Sequence, residues 1–139
     1  MKYVEDKDRF LVRFEVGETL PDALVGMSGE LGWTSGSLTG IGGVKDVVLA
    51  YYDLAAREYL KFPVAGIVEL VSLAGNLALV EDKPFWHLHA SVANVKGEVT
   101  AGHLVSLTVA ITLECWIQPG IGIYNRKYDE SCGLNLLSI

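Results

Sequence analysis

Residues 85–104 read FWHLHASVANVKGEVTAGHL, and the fold can be argued outward from this stretch. Segments 85–95 and 99–117 read as long β strands joined by a short connection that holds Gly97, which predicts a hairpin. In His87-Leu88-His89 the period of two puts both imidazoles on one face of a strand. A loop centred on Lys96 places His103 opposite His89, with its side chain on that same face. All three histidines of the chain then converge. A two-residue loop at Lys96-Gly97 shifts the register by one and breaks the convergence unless a bulge restores it.

Further strands surround the hairpin. Residues 66–80 form another long β segment, and 37–53 carry Gly40-Ile41-Gly42-Gly43 followed by a β-branched run. A short strand over 57–62 follows a turn at 53–56. Near the start, Phe10, Val12, Phe14 and Val16 alternate with Leu11, Arg13 and Glu15, which predicts a strand over 9–16 with one face on the core. One helix is expected over 21–31. Thr19 suits its cap, Pro21 its first turn and Asp22 the positive end of its dipole. Leu20, Leu24, Met27 and Leu31 recur at helical spacing up to Gly32. Residues 119–139 look irregular, and no repeat, low-complexity tract or linker interrupts the chain. The reading is an α+β single domain, 1–139, with its core over about 9–118: a mainly antiparallel sheet carrying one substantial amphipathic helix.

Composition narrows the functional classes. The chain has 139 residues, half of them apolar, a length that suits one domain. Mean hydropathy is +0.33, which excludes disorder of the whole chain and leaves a surplus of apolar surface that a subunit interface would bury. No apolar run approaches the ~18 residues that span a bilayer, and the mixed-charge start lacks a signal peptide's apolar region. A soluble protein inside the cell is expected. The net charge is −6, with 11 basic against 17 acidic residues. The basic residues are scattered, Arg126-Lys127 being the only adjacent pair, so direct DNA binding is disfavoured.

Few motifs carry chemistry. Gly40-Ile41-Gly42-Gly43 lacks the G-K-[ST] end of a phosphate loop and opens no helix, so it reads as a bulge or close strand crossing. Ser91 and Ser106 are near histidines in sequence, but nothing marks them as nucleophiles. Cys115 and Cys132 form no C-x-x-C and read as reduced thiols, Cys115 in the core. Glu69 and Glu114 sit inside very apolar strands. Buried there, each would need a partner, and acid–base work is the less favoured alternative to structural pairing. The three histidines are the strongest signal. Neutral imidazoles suit zinc or another divalent transition metal, with a fourth position left for water, substrate or an acid. Binding through free imidazoles should weaken below about pH 6.5.

Taken together, these segments resemble the PPC domain, named for plants and prokaryotes conserved. The resemblance runs through Arg13-Phe14-Glu15-Val16-Gly17-Glu18, Gly40-Ile41-Gly42-Gly43-Val44, Tyr51-Tyr52-Asp53 and Val68-Glu69-Leu70-Val71-Ser72-Leu73-Ala74-Gly75-Asn76. It continues in His87-Leu88-His89 and Gly97-Glu98-Val99-Thr100-Ala101-Gly102-His103-Leu104, and so covers nearly the whole chain. Ala101 stands where the family usually has the first glycine of G-G-H-L. The resemblance implies a homotrimer and places His87, His89 and His103 where prokaryotic members carry a histidine metal site. The AT-hooks of plant members are missing, so the chain looks like the free-standing, cytoplasmic prokaryotic form. A DNA-associated, regulatory role travels with the family name, and fold-level analogy is weak support for it. The alternative is a metal-dependent enzyme acting on a small molecule bound at the metal. A zinc-bound water would be its nucleophile and Glu69 or Glu114 its proton carrier.

Overall fold

A computed structural model describes residues Met1–Ile139. In chain order the elements are β1 (Lys2–Asp6), β2 (Arg9–Phe14), β3 (Thr19–Leu20), α1 (Asp22–Glu30), β4 (Gly36–Asp53) and β5 (Glu58–Val64). They continue with β6 (Val68–Val80), β7 (Lys83–Ala93), β8 (Val99–Pro119), β9 (Arg126–Asp129) and β10 (Leu134–Leu137). The main sheet runs β1-β2-β8-β7-β6-β4-β5, β3 pairs with β8, and β4 pairs with β8 as well as with β6. Strands β4, β6, β7 and β8 therefore form a closed circuit of antiparallel ladders. Closure satisfies backbone groups that an open edge would leave unpaired.

One contiguous core fills this arrangement. Val12 and Phe14 of β2, Leu70 and Leu73 of β6, and Leu88 of β7 meet Leu107, Leu113 and Ile117 of β8 there. Burying each such side chain contributes roughly 1.5–3 kcal/mol. The glycine segment of β4 is where strands crowd. Register shifts fall between Gly40 and Gly42 against β6 and between Gly42 and Val44 against β8. A Cβ on Gly42 would lie 2.2 Å from the Thr112 carbonyl oxygen and 2.8 Å from the Leu113 Cα. The segment is the bulged, close strand crossing that its glycines predict.

The helix departs from expectation. α1 has nine residues, Asp22–Glu30, and Pro21 at its N-cap makes no side-chain capping bond. Thr19 is not the cap: Thr19 and Leu20 pair with Thr108 and Leu107 of β8, and the Thr19 hydroxyl donates to Asp22 Oδ2 at 3.4 Å. Leu20 is buried by that pairing, so sheet packing claims a residue that helical spacing assigns to the helix. At the other end Gly32, φ +69°, stops the helix one residue past Leu31. Ser28 ties α1 to β7. Its hydroxyl donates to the Leu24 carbonyl at 2.8 Å and accepts the Trp86 indole N–H at 3.0 Å.

Both ends of the chain are more regular than the sequence suggests. Lys2–Asp6 forms β1 against β2, and residues 119–139, expected to be irregular, contain the β9–β10 hairpin. No helix is long and apolar enough to cross a membrane.

Candidate metal centre

Buried Trp86, Leu88 and Ala90 alternate along β7 with His87 and His89, so these two imidazoles project from the face opposite the core. The connection to β8 is centred on Lys96. Asn94 Oδ1 accepts the Lys96 and Glu98 backbone N–H groups at 2.9 and 3.1 Å, and Gly97 takes φ +77°. This turn pairs Ala93 with Val99 and places His103 opposite His89. The ring centroids are 5.1 Å apart for His87–His89, 5.2 Å for His87–His103 and 5.5 Å for His89–His103. One nitrogen from each ring lies within 4.8 Å of the others.

The set fits a metal chemically. Bonds of about 2.0–2.1 Å to a tetrahedral ion need nitrogens about 3.4 Å apart, so each ring would move inward by less than about 1 Å. His103 Nδ1 is buried and has no hydrogen-bond partner, an arrangement that an ion or an acceptor would relieve. Burial, then the charges of His87 and His89, push the His103 pKa down to about 4. Burial also lowers the His87 pKa, helped by the Arg126 guanidinium and by His89. Imidazoles held neutral are in the form that ligates a metal.

Other residues brace the cluster. The Tyr59 ring of β5 lies against His103 at 4.8 Å with planes 31° apart, and Tyr52 packs on Tyr59 at 4.9 Å. Asn76 of β6 sits opposite His87 and its Oδ1 accepts from Arg126 Nη2 at 2.6 Å. Arg126 also stands 5.6 Å from the centre of the Phe85 ring. Sequence reading missed Tyr59, Asn76 and Arg126 as neighbours of the site. Arg126 was visible only as half of a basic pair, because nothing local in 119–139 shows that β9 returns to this face.

Glu69 and Glu114 are elsewhere. Both are exposed rather than buried, so neither needs the partner expected of a buried acid. They share a groove with Ile41, Val71 and Ile111, and no carboxylate joins the histidine group. Ala74, the residue opposite His89, is five positions along β6 from Glu69, a separation of about 16 Å at ~3.3 Å per residue. Cys115 is buried, and burial pushes its thiol up to about 12, as suits an unreactive core residue. A groove of about 560 Å³ lies between the start of β4, the end of β8 and the C-terminal residues. It reaches Asn76 but none of the histidines.

The fold finds counterparts in known proteins. The family model for the Plants and Prokaryotes Conserved (PCC) domain matches residues 1–119. A metal-containing protein from Archaeoglobus fulgidus is 32% identical, with TM-score 0.89 over 99% of this chain and 97% of its own. A plant- and prokaryote-conserved (PPC) protein from Pyrococcus horikoshii is 29% identical, with TM-score 0.89 over 99% and 95%. A candidate DNA-binding protein from Bacteroides thetaiotaomicron has TM-score 0.95 over 99% and 96% at 24% identity, a likeness of fold alone. No curated protein matches the chain.

Proposed function

The chain belongs to the Plants and Prokaryotes Conserved domain family, and from that premise we propose that it is a cytoplasmic, homotrimeric metal-binding protein. His87, His89 and His103 hold one divalent ion per chain, with zinc favoured by the donor set. The observation that carries this is the convergence of three imidazoles from two paired strands; one of them, that of His103, has a buried Nδ1 without a partner. The metal-containing relative from Archaeoglobus fulgidus supports it.

A divalent ion bound there supplies Lewis acidity and lowers the pKa of a water. The chain's own part is to fix the donors: Tyr59 packs against the His103 ring, and the β7–β8 register sets His89 facing His103. An enzyme using Glu69 or Glu114 as proton carrier loses support, since neither carboxylate joins the histidines. In this reading the site is a binding centre whose fourth metal position is left for water or a small molecule. Self-association is supported by Ile41, Val71, Ile111 and Trp116, 40–61% exposed on β4, β6 and β8, which line two adjoining grooves.

Metal analysis of protein purified without an affinity tag tests the centre. One equivalent of a divalent ion per chain is expected in the wild type. His89→Ala should lose the ion, since His89 has one histidine two residues away on its own strand and another opposite. A variant with all three histidines replaced by alanine that still holds stoichiometric metal would place the ligands elsewhere and overturn the proposal.

A further inference from the structure

We infer that the histidine centre takes a small carboxylate-bearing molecule, one oxygen of which pairs with Arg126 while the rest reaches the position left open beside the histidines. This rests on the metal reading above. Arg126 is half-buried in β9. Its Nη2 donates to Asn76 Oδ1 at 2.6 Å and its Nη1 to the Asn135 carbonyl at 3.3 Å, while its Nε is buried with no acceptor. No acid neutralises it, because the ion pairs of the chain use Glu18, Glu15 and Asp6 as their acids. A buried, charged donor without an acceptor is costly. The unmet Nε–H is a place for an acceptor supplied from outside the chain.

The position of Arg126 says where that acceptor goes. Its anchor, Asn76, faces His87 across the β6–β7 ladder, and its charge is felt by both His87 and Tyr59. A divalent ion on three neutral imidazoles keeps two positive charges and Arg126 adds a third, with no carboxylate in the group. In a chain of net charge −6 this is a concentrated positive site, and it calls for an anion. Nη1 and Nη2 donate one bond each and keep a second N–H apiece, while the Nε–H has no acceptor at all. A carboxylate oxygen can accept at Nε–H with the molecule's other oxygens free to reach the ion. A phosphate dianion, with more oxygens to satisfy, would call for donors beyond one guanidinium edge.

The test uses the full chain loaded with cobalt(II), whose visible spectrum reports the coordination sphere, with lactate as the probe. Cobalt uptake is measured first; failure to load one equivalent overturns the metal reading, and the inference with it. In loaded protein, lactate should perturb the spectrum saturably, and propane-1,2-diol, which lacks the charge, should not. Arg126→Gln should weaken lactate binding by about tenfold or more without changing cobalt uptake, and Arg126→Lys should recover part of the loss. Equal lactate affinity in wild type and Arg126→Gln overturns the inference while leaving the metal centre standing. Phosphate binding more tightly than lactate overturns the ligand class. If Arg126→Gln does not fold, the wild type decides alone: an Arg126 Nε–H resonance that stays fixed while lactate shifts the cobalt spectrum overturns the role of Arg126.

Discussion

At His103 burial and two neighbouring imidazoles act in one direction, holding the pKa near 4 instead of the ordinary 6.5. In metal-free protein the unfolded chain takes up this proton near pH 6.5 and the folded chain only near pH 4. The unfolded state therefore binds more protons between those values, and folding stability falls as pH drops through that window. The denaturation midpoint of metal-free wild type should fall further between pH 7 and pH 5 than that of His103→Gln, which has no group to titrate there. An equal fall in both proteins would contradict the assignment. The same depression bears on metal uptake: at this one ligand, protons compete with metal at a lower pH than at a free imidazole. The histidine trio was legible in sequence because strand parity and hairpin register are short-range rules. Arg126 was not, because its place beside Asn76 depends on how a hairpin some fifty residues later in the chain folds back.

Among the elements, β4 shows most directly how composition sets architecture. Its glycines let the Thr112–Leu113 backbone of β8 come within a distance that a methyl group would occupy. Gly42→Ala should therefore destabilise the protein by about 3 kcal/mol, because the obstacle is backbone, which has no alternative rotamer to relieve the clash. Urea denaturation measures this, and a loss under about 0.5 kcal/mol, the range of ordinary surface changes, would show that β8 yields easily. The bulge was readable from Gly40-Ile41-Gly42-Gly43, and the long strands from their apolar runs. The helix was half readable. Leu24 and Met27 do face the core, but Leu20 is drawn into the sheet by pairing with Leu107, a long-range contact that helical spacing does not contain. β1 and the β9–β10 hairpin escaped for a similar reason: β1 has five mostly exposed residues and β9 and β10 four each. Strands so short and exposed carry little alternation and take their stability from neighbours supplied by the fold.

For the molecule as a whole, an apolar outer face and a negative charge lead to two expectations. Ile41, Val71, Ile111 and Trp116 lie exposed on strands of the closed circuit, a patch that a soluble chain seldom leaves open. Light scattering behind size exclusion should give about three times the 15.1 kDa chain mass. Ile111→Asp should lower that mass by placing a charge in the contact, and a wild-type monomer at micromolar concentration would refute the trimer. Assembly bears directly on nucleic acid. Each chain brings a charge of −6, so association multiplies the repulsion felt by phosphate, and binding would need a local basic patch to overcome it. The one adjacent basic pair is a poor nucleus for such a patch, because Arg126 is half-buried beside the histidine centre and only Lys127 is exposed. The protein should therefore show no submicromolar affinity for duplex DNA at physiological salt in an anisotropy titration. Tight binding that weakens steeply as salt rises would instead reveal cations gathered across subunits, and would restore the DNA-associated role that the charge of a single chain argues against.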